Sequence, residues 1–155
     1  MKVISGGQTG ADLGGVIAGS KFGYETGGCM PKGFKNETGN NPLLAKLYGM
    51  YEHKSDKYPP RTYENCKMSD GTIRFATDFD SRGEICTFNA IKQYNKPYID
   101  VDVNEPRAIE EIVEWIREKN IKVLNVAGNR ESTSPGTCNF VIDFLMKVFE
   151  KVESS

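Results

Sequence analysis

The chain has 155 residues, enough for one domain with a full hydrophobic core over residues 1–155. Its 20 lysines and arginines against 21 aspartates and glutamates leave a formal net charge of -1, a balance that argues against bulk electrostatic binding to nucleic acid or an anionic membrane but leaves room for a local basic pocket. No apolar run is long enough to cross a bilayer, and Met1-Lys2-Val3 enters a strand without a signal-peptide pattern, so a cytoplasmic protein is expected.

Val3-Ile4 reads as a short strand, and Ser5-Gly6-Gly7-Gln8-Thr9-Gly10-Ala11-Asp12 follows it as a glycine turn into a helix. The glycines Gly6, Gly7 and Gly10 permit a tight turn and bring backbone N–H groups close to a ligand. The helix behind them presents unsatisfied N–H groups and the positive end of its dipole. Together these make an anion site, most often for phosphate. The pattern is neither G-x-G-x-x-G nor the P-loop, which ends in Gly-Lys-Ser/Thr, and a plain strand-to-helix turn is the alternative. Gln8 and Thr9 can hydrogen-bond a phosphate or a ring edge. Asp12 either answers the helix dipole or accepts from a ribose hydroxyl.

The helix over Asp12–Lys21 carries Gly14, Gly15 and Gly19. Glycine is a poor helix former, so this composition predicts close packing of the helix on a sheet. A second strand is expected near Tyr24–Gly27, followed by a loop from Gly28 to Lys35 that carries Lys32. Asn36–Pro60 is weakly patterned, with a short helix at Leu43–Met50 and a loop at Lys54–Pro60; long excursions of this kind are usually functional or mobile. Arg61–Met68 reads as a helical turn or two, and Thr72–Ala76 as a strand. Ser81–Asn95 is a helix with Ile85, Phe88, Ile91 and Tyr94 spaced for one buried face. Pro97–Val101 is the next strand. Pro106 suits the first turn of an amphipathic helix through Lys119, with Ile109, Ile112, Val113 and Ile116 inside. Lys122–Ala127 has no charge after its first residue, as expected of a strand buried on both faces. Gly128-Asn129-Arg130-Glu131-Ser132 forms a turn. Ser134 is placed to cap the last helix, with Pro135 at its first position, and that helix runs to about Val152.

Strands alternating with helices predict an α/β fold, a three-layer sandwich with a mainly parallel sheet. Ligands in such sheets bind beyond the carboxyl ends of the strands. Three polar, glycine-bearing turns, Gly6–Asp12, Asp78–Glu84 and Gly128–Ser132, therefore meet at one rim. Ser81-Arg82-Gly83-Glu84 opens a helix and sets an arginine suited to bidentate phosphate contact beside a carboxylate. Glu84 reads first as a dipole-compensating surface residue and second as a candidate catalytic acid or base. Lys32, Arg61 and Arg130 are further cationic candidates, and Asn129 and Ser132 are neutral donors at the same rim. Cys29, Cys66, Cys86 and Cys138 are widely spaced and His53 is the single histidine, so no metal site is expected and the thiols read as reduced.

These segments together resemble the molybdenum-carrier family, within the Rossmann-like group that includes lysine-decarboxylase-like phosphoribohydrolases. The resemblance is carried by Ser5 to Asp12, Pro31-Lys32-Gly33, Arg61-Thr62 with Asn65, and Ser69-Asp70-Gly71-Thr72. It continues through Gly83 and Thr87, the run Val123 to Ser132, and Pro135-Gly136. It implies a doubly wound Rossmann-like fold and, at the rim, a phosphorylated ligand: a nucleotide or the molybdenum cofactor, a pterin carrying a phosphate. Leu13 stands where relatives commonly have arginine, and Arg82-Gly83-Glu84 where they often have Gly-Gly-Thr. The full P-G-G-x-G-T turn of the phosphoribohydrolases is absent.

The first functional expectation is non-catalytic: the protein binds, carries or sequesters a phosphorylated nucleotide-like or pterin-like ligand. The alternative is hydrolysis of a nucleotide N-glycosidic bond, with Glu84 as acid or base and Arg82 on the phosphate. A redox role comes third, because Glu25 lies where a ribose-binding acid would fall although the dinucleotide glycine pattern is missing. A homo-oligomer, dimer or tetramer, is implied by the resemblance, and Phe140, Phe144, Val148 and Phe149 read as more apolar area than one sheet face requires.

Overall fold

The computed structural model describes residues 1–154. The chain runs β1 (Lys2–Ile4), α1 (Ala11–Phe22), β2 (Glu25–Met30), a hairpin of β3 (Lys35–Asn36) and β4 (Gly39–Asn40), α2 (Leu43–Tyr48) and β5 (Met50–Glu52). It continues with α3 (Tyr58–Met68), β6 (Gly71–Ala76), α4 (Arg82–Tyr94), β7 (Tyr98–Asp102), α5 (Ile109–Glu118), β8 (Val123–Gly128) and α6 (Thr137–Glu153). Six strands form one sheet in the order β5-β2-β1-β8-β6-β7, parallel at every ladder. From β1 the chain winds outward to β2 and β5, crosses to β6 and β7, and returns with β8 to fill the gap beside β1. Helices α1, α5 and α6 cover one face and α3 and α4 the other, giving the expected three-layer Rossmann-like sandwich.

The glycines of α1 have the reason that their composition demanded. A Cβ on Gly19 would sit 2.9 Å from Val3 Cβ, one on Gly15 would strike Val126, and one on Gly14 would sit 2.8 Å from Val141 Cβ on α6. The helix lies flush on the sheet and against α6 because those side chains are missing.

Several boundaries differ from the sequence reading, each for a local cause. Gly28-Cys29-Met30, expected as loop, extends β2, because Asn65 of α3 accepts from Cys29 N (2.8 Å) and donates to Cys29 O (2.9 Å), closing that strand's ladder with a side chain. In α4 the buried stripe is Glu84, Thr87, Ala90 and Ile91, whereas Ile85 is 50 % exposed. The helix is turned so that Glu84 and Thr87 face inward and Phe88 covers the guanidinium of Arg74, 5.3 Å from its ring centroid. Pro106 lies outside α5, which starts at Ile109. Asp102 takes the Asn104 N–H (2.8 Å) and Arg107 Nε donates to Asp100 O (2.6 Å), binding this segment to the end of β7 as a loop.

Ser134 does not cap α6, and Pro135 is not its first residue. The carboxylate of Glu131 reaches forward instead, accepting from Gly136 N (2.6 Å) and Cys138 N (3.0 Å), and the helix starts at Thr137. An anion there also answers the helix dipole. Phe144, Val148 and Phe149 of α6 are buried in the core, and Phe140 stacks on Phe144 with ring centroids 5.6 Å apart. Most of that apolar area is packed inside the domain, with Phe140 half-buried. Among the described residues no helix is long and apolar enough to cross a membrane.

Candidate functional site

A cleft of about 830 Å³ opens at the carboxyl ends of β1, β6 and β8, the place where ligands enter parallel sheets. All three expected turns meet there. The first contributes Gly6, Gln8 and Asp12; the second contributes Ser81, Arg82, Gly83 and Glu84; the third contributes Gly128, Asn129, Arg130 and Ser132. Arg61 of α3 completes the wall. Two of the turns are locked together by Asn129, whose Oδ1 accepts from Thr77 N (2.9 Å) and Asp78 N (3.0 Å) while its Nδ2 donates to Asp78 O (2.9 Å). Asn129 is thus a clamp between turns, its amide spent on backbone. Ser81 caps α4, accepting from Glu84 N at 3.4 Å.

Gly7, Thr9, Gly10 and Lys32 do not line the cleft. Gly7 turns its backbone at φ 73° against Met30, and its carbonyl accepts from Asn36 Nδ2 (3.0 Å). Thr9 is engaged by Glu37 and accepts from Glu131 N (3.1 Å). Gly10, at φ 79°, lies on the 129–131 backbone so closely that a Cβ would come within 2.7 Å of Glu131 N. Lys32 projects from the surface beside the β3–β4 hairpin. These residues build the turn; they do not face its contents. Glu25 is at the opposite end of the sheet, exposed and paired with Lys2 (3.0 Å), away from any ligand at the rim.

The outer half of the cleft is cationic. Tyr58, which the sequence reading missed, has three cations around its ring: Lys35 Nζ and the Arg61 guanidinium at 5.2 Å, and that of Arg130 at 5.4 Å. Each is attracted to the ring and repelled by the others. Arg61 lies against Gly6, where a Cβ would sit 2.7 Å from Arg61 Nε. Its charge meets one carboxylate, Asp12, at 4.0 Å. Among the described residues neither Arg82 nor Arg130 forms an ion pair.

The inner half is acidic and buried. Glu84 is 2 % exposed, so it is no surface residue. Burial pushes its carboxyl up to about 8, assisted by Asp12 and Asp100 and opposed by Arg74 and Arg61. Arg74 is the strongest of the opposing influences, and burial outweighs it. This arginine donates from Nε and NH2 to the two oxygens of Asp100 (2.8 and 2.7 Å), leaving Glu84 Oε1 at 3.8 Å. Arg74 too was missed, although an arginine between Ile73 and Phe75 in an apolar strand demands a buried partner. Its partner is the residue opposite in parallel register, Asp100. Burial also raises Asp12, to about 6, against Arg61 and the backbone N–H groups of Gln8 and Gly6. Among the described residues no three His, Cys, Asp or Glu side chains gather as a metal site.

A three-layer parallel sandwich with a polar cleft at its strand ends is a Rossmann-like ligand-binding fold. A family model described as the circularly permutated YpsA SLOG family matches residues 3–149, and the chain belongs to that family. It is also similar to a crystal structure from Syntrophus aciditrophicus SB, of a protein named Putative molybdenum carrier protein. The two are 34% identical, with a TM-score of 0.85 over 96% of this chain and 93% of that one. No curated protein matches the chain.

Proposed function

We propose that the protein binds and carries, or sequesters, a phosphorylated nucleotide-like or pterin-like ligand in this cleft without turning it over. The observation that carries this reading is the imbalance at the mouth: Arg61, Arg82 and Arg130 with a single carboxylate at 4.0 Å. Arginine presents a planar fork of donors that matches phosphate, and a phosphate would relieve the repulsion around Tyr58. The name of the Syntrophus relative points the same way. The molybdenum cofactor, as cargo, suits the cleft in two respects: its phosphate would meet the arginines, and its ring would meet the buried polar end. A homo-oligomer, dimer or tetramer, belongs to the same proposal, and a monomeric mass by light scattering would dismiss that part. The reading is tested by titrating phosphorylated pterin and nucleotides into wild type and Arg130→Ala by calorimetry. A loss of about tenfold to a hundredfold in affinity is expected, since charged hydrogen bonds contribute roughly 1.5–3 kcal/mol, and wild-type affinity should fall with added salt. Equal affinities for the two proteins would count against it.

A second reading rests on Glu84, which burial keeps protonated at neutral pH as a general acid must be. It makes the protein a hydrolase of nucleotide N-glycosidic bonds. Free base released from nucleoside monophosphates, and lost in Glu84→Gln, would establish it; no release across a broad panel would remove it.

A further inference from the structure

Glu37, in the turn between β3 and β4, sets an anion of the chain's own at the rim of the cleft. Its Oε2 accepts from the Thr9 hydroxyl and from Ser132 N (3.3 Å), and its Oε1 accepts from the Ser132 hydroxyl. The Thr9 hydroxyl in turn accepts from Glu131 N (3.1 Å), so its one hydrogen is left for the carboxylate. Three donors thus converge on Glu37 from two turns far apart in the sequence. Burial raises its carboxyl, but the bonds from Ser132 and Thr9 and the charge of Arg130 outweigh burial and hold the group below its ordinary value. Ser132 and Arg130 line the cleft, so this anion adjoins the space that a ligand would enter.

Two features mark the carboxylate as an occupant of this place and not as part of the frame. The hairpin is fastened without it. Asn36 Nδ2 donates to Gly7 O (3.0 Å) and Glu37 N to Gln8 Oε1 (2.9 Å), while Asn36 Oδ1 accepts from Thr38 N and Asn41 Nδ2 (both 2.9 Å). The fit is also incomplete, because three donors share two oxygens and two of them crowd onto Oε2. A phosphate monoester has three free oxygens and nearly twice the charge.

We propose that Thr9, Ser132 and Arg130 form the seat of the ligand's phosphate and that Glu37 closes this seat in the free chain. On binding, the phosphate oxygens take the two hydroxyls, Ser132 N and the Arg130 guanidinium. The half-buried Glu37 side chain turns out to water while its backbone stays on Gln8. Two anions cannot share the seat, so Glu37 sets affinity below what the donors alone would give. The inference rests on the phosphorylated-ligand reading above; it concerns the same phosphate that Arg130 meets there, and adds where that phosphate sits and what guards the place.

The test is calorimetry with guanosine monophosphate and a phosphorylated pterin, and with guanosine and the unphosphorylated pterin as controls. The proteins are wild type, Glu37→Ala, and Glu37→Ala combined with Ser132→Ala, with thermal unfolding to verify each fold. Glu37→Gln, which removes the charge and keeps an acceptor, serves if Glu37→Ala does not fold. Glu37→Ala should bind at least one of the phosphorylated compounds about threefold tighter than wild type or better, the scale of an exposed charge contact. The gain should be missing from the controls and should vanish when Ser132→Ala is added. Affinity equal to or below that of wild type in Glu37→Ala would overturn the seat and leave the phosphorylated-ligand reading standing. So would a gain shared by the controls, or one that survives Ser132→Ala. Failure of both phosphorylated compounds to bind any of the proteins would overturn both.

Discussion

Arg74, buried, and Arg61, half-buried, both act on the Glu84 carboxyl and differ in how far they are satisfied. Arg74 donates to both oxygens of Asp100 and to the Glu84 carbonyl (3.2 Å), with the rings of Phe79, Phe88 and Tyr98 around it. Arg61 stacks on Tyr58 and bonds Thr62, and among the described residues its Nε has no partner and it reaches one carboxylate, at 4.0 Å. The first is a finished structural knot. The second is an open valence at the edge of a cavity. Charge alone does not distinguish them in the sequence; the number of partners each has in the fold does.

Substitution should separate the two sharply. Arg74→Met strands Asp100 in a half-buried position and removes the bond to the Glu84 carbonyl. Losing one partner of a buried pair costs about 3–5 kcal/mol, which urea unfolding would read as a large drop in midpoint. Arg61→Met should cost about 1 kcal/mol or less in the same experiment, within the ordinary range for a group with few partners, while weakening ligand binding. Equal losses would erase the contrast.

The next effect is in pH. Glu84 is raised from 4.5 to about 8 in the folded protein, so between those values the unfolded chain has lost a proton that the folded one keeps. Stability is therefore greatest toward the lower limit and declines as pH rises to about 8. Asp12, raised from 3.8 to about 6, adds a decline of the same sign over its own window. Glu84→Gln should remove the larger part of the slope, leaving a flatter profile above about pH 6. Parallel profiles for wild type and variant would show that Glu84 is ionised in the folded state.

The smallest expected change sharpens the comparison at Arg130. Its neighbour Glu131 is a carboxylate already committed to the start of α6, and among the described residues Arg130 forms no ion pair. Glu131→Ala should cost about 1 kcal/mol, the usual loss for a helix cap, with ligand affinity unchanged or raised. A marked loss of affinity would place Glu131 in the cleft's function.

The sheet, the helices and the convergence of three turns were legible because they rest on local pattern: apolar runs, turn residues and helical periodicity. Lys122 to Ala127 reads as a buried strand, and β8 forms there over Val123–Gly128. What escaped depends on partners far along the chain. Arg74 and Asp100 meet only through parallel register, and Tyr58 gathers cations from a hairpin, a helix and a turn. Ser134 and Pro135 have the form of a helix start, but Glu131 folds forward and displaces it. Gly7, Thr9 and Gly10 belong to a motif that looks ligand-facing throughout, yet only Gly6, Gln8 and Asp12 of that turn face the cleft. Glu84 was visible as an acid at a helix start; its burial came from the rotation of α4, which Ile85 had suggested the other way.

The most direct test of the central claim, that the cleft is completed by a phosphorylated ligand, uses purified protein that has had no added ligand. Denaturation, filtration and mass spectrometry of the small-molecule fraction should recover a phosphorylated pterin or nucleotide near one per chain, and its recovery should drop when Arg61→Met is prepared in the same way. A fraction without any phosphorylated compound, or a stoichiometric ligand that carries no phosphate, would contradict the account.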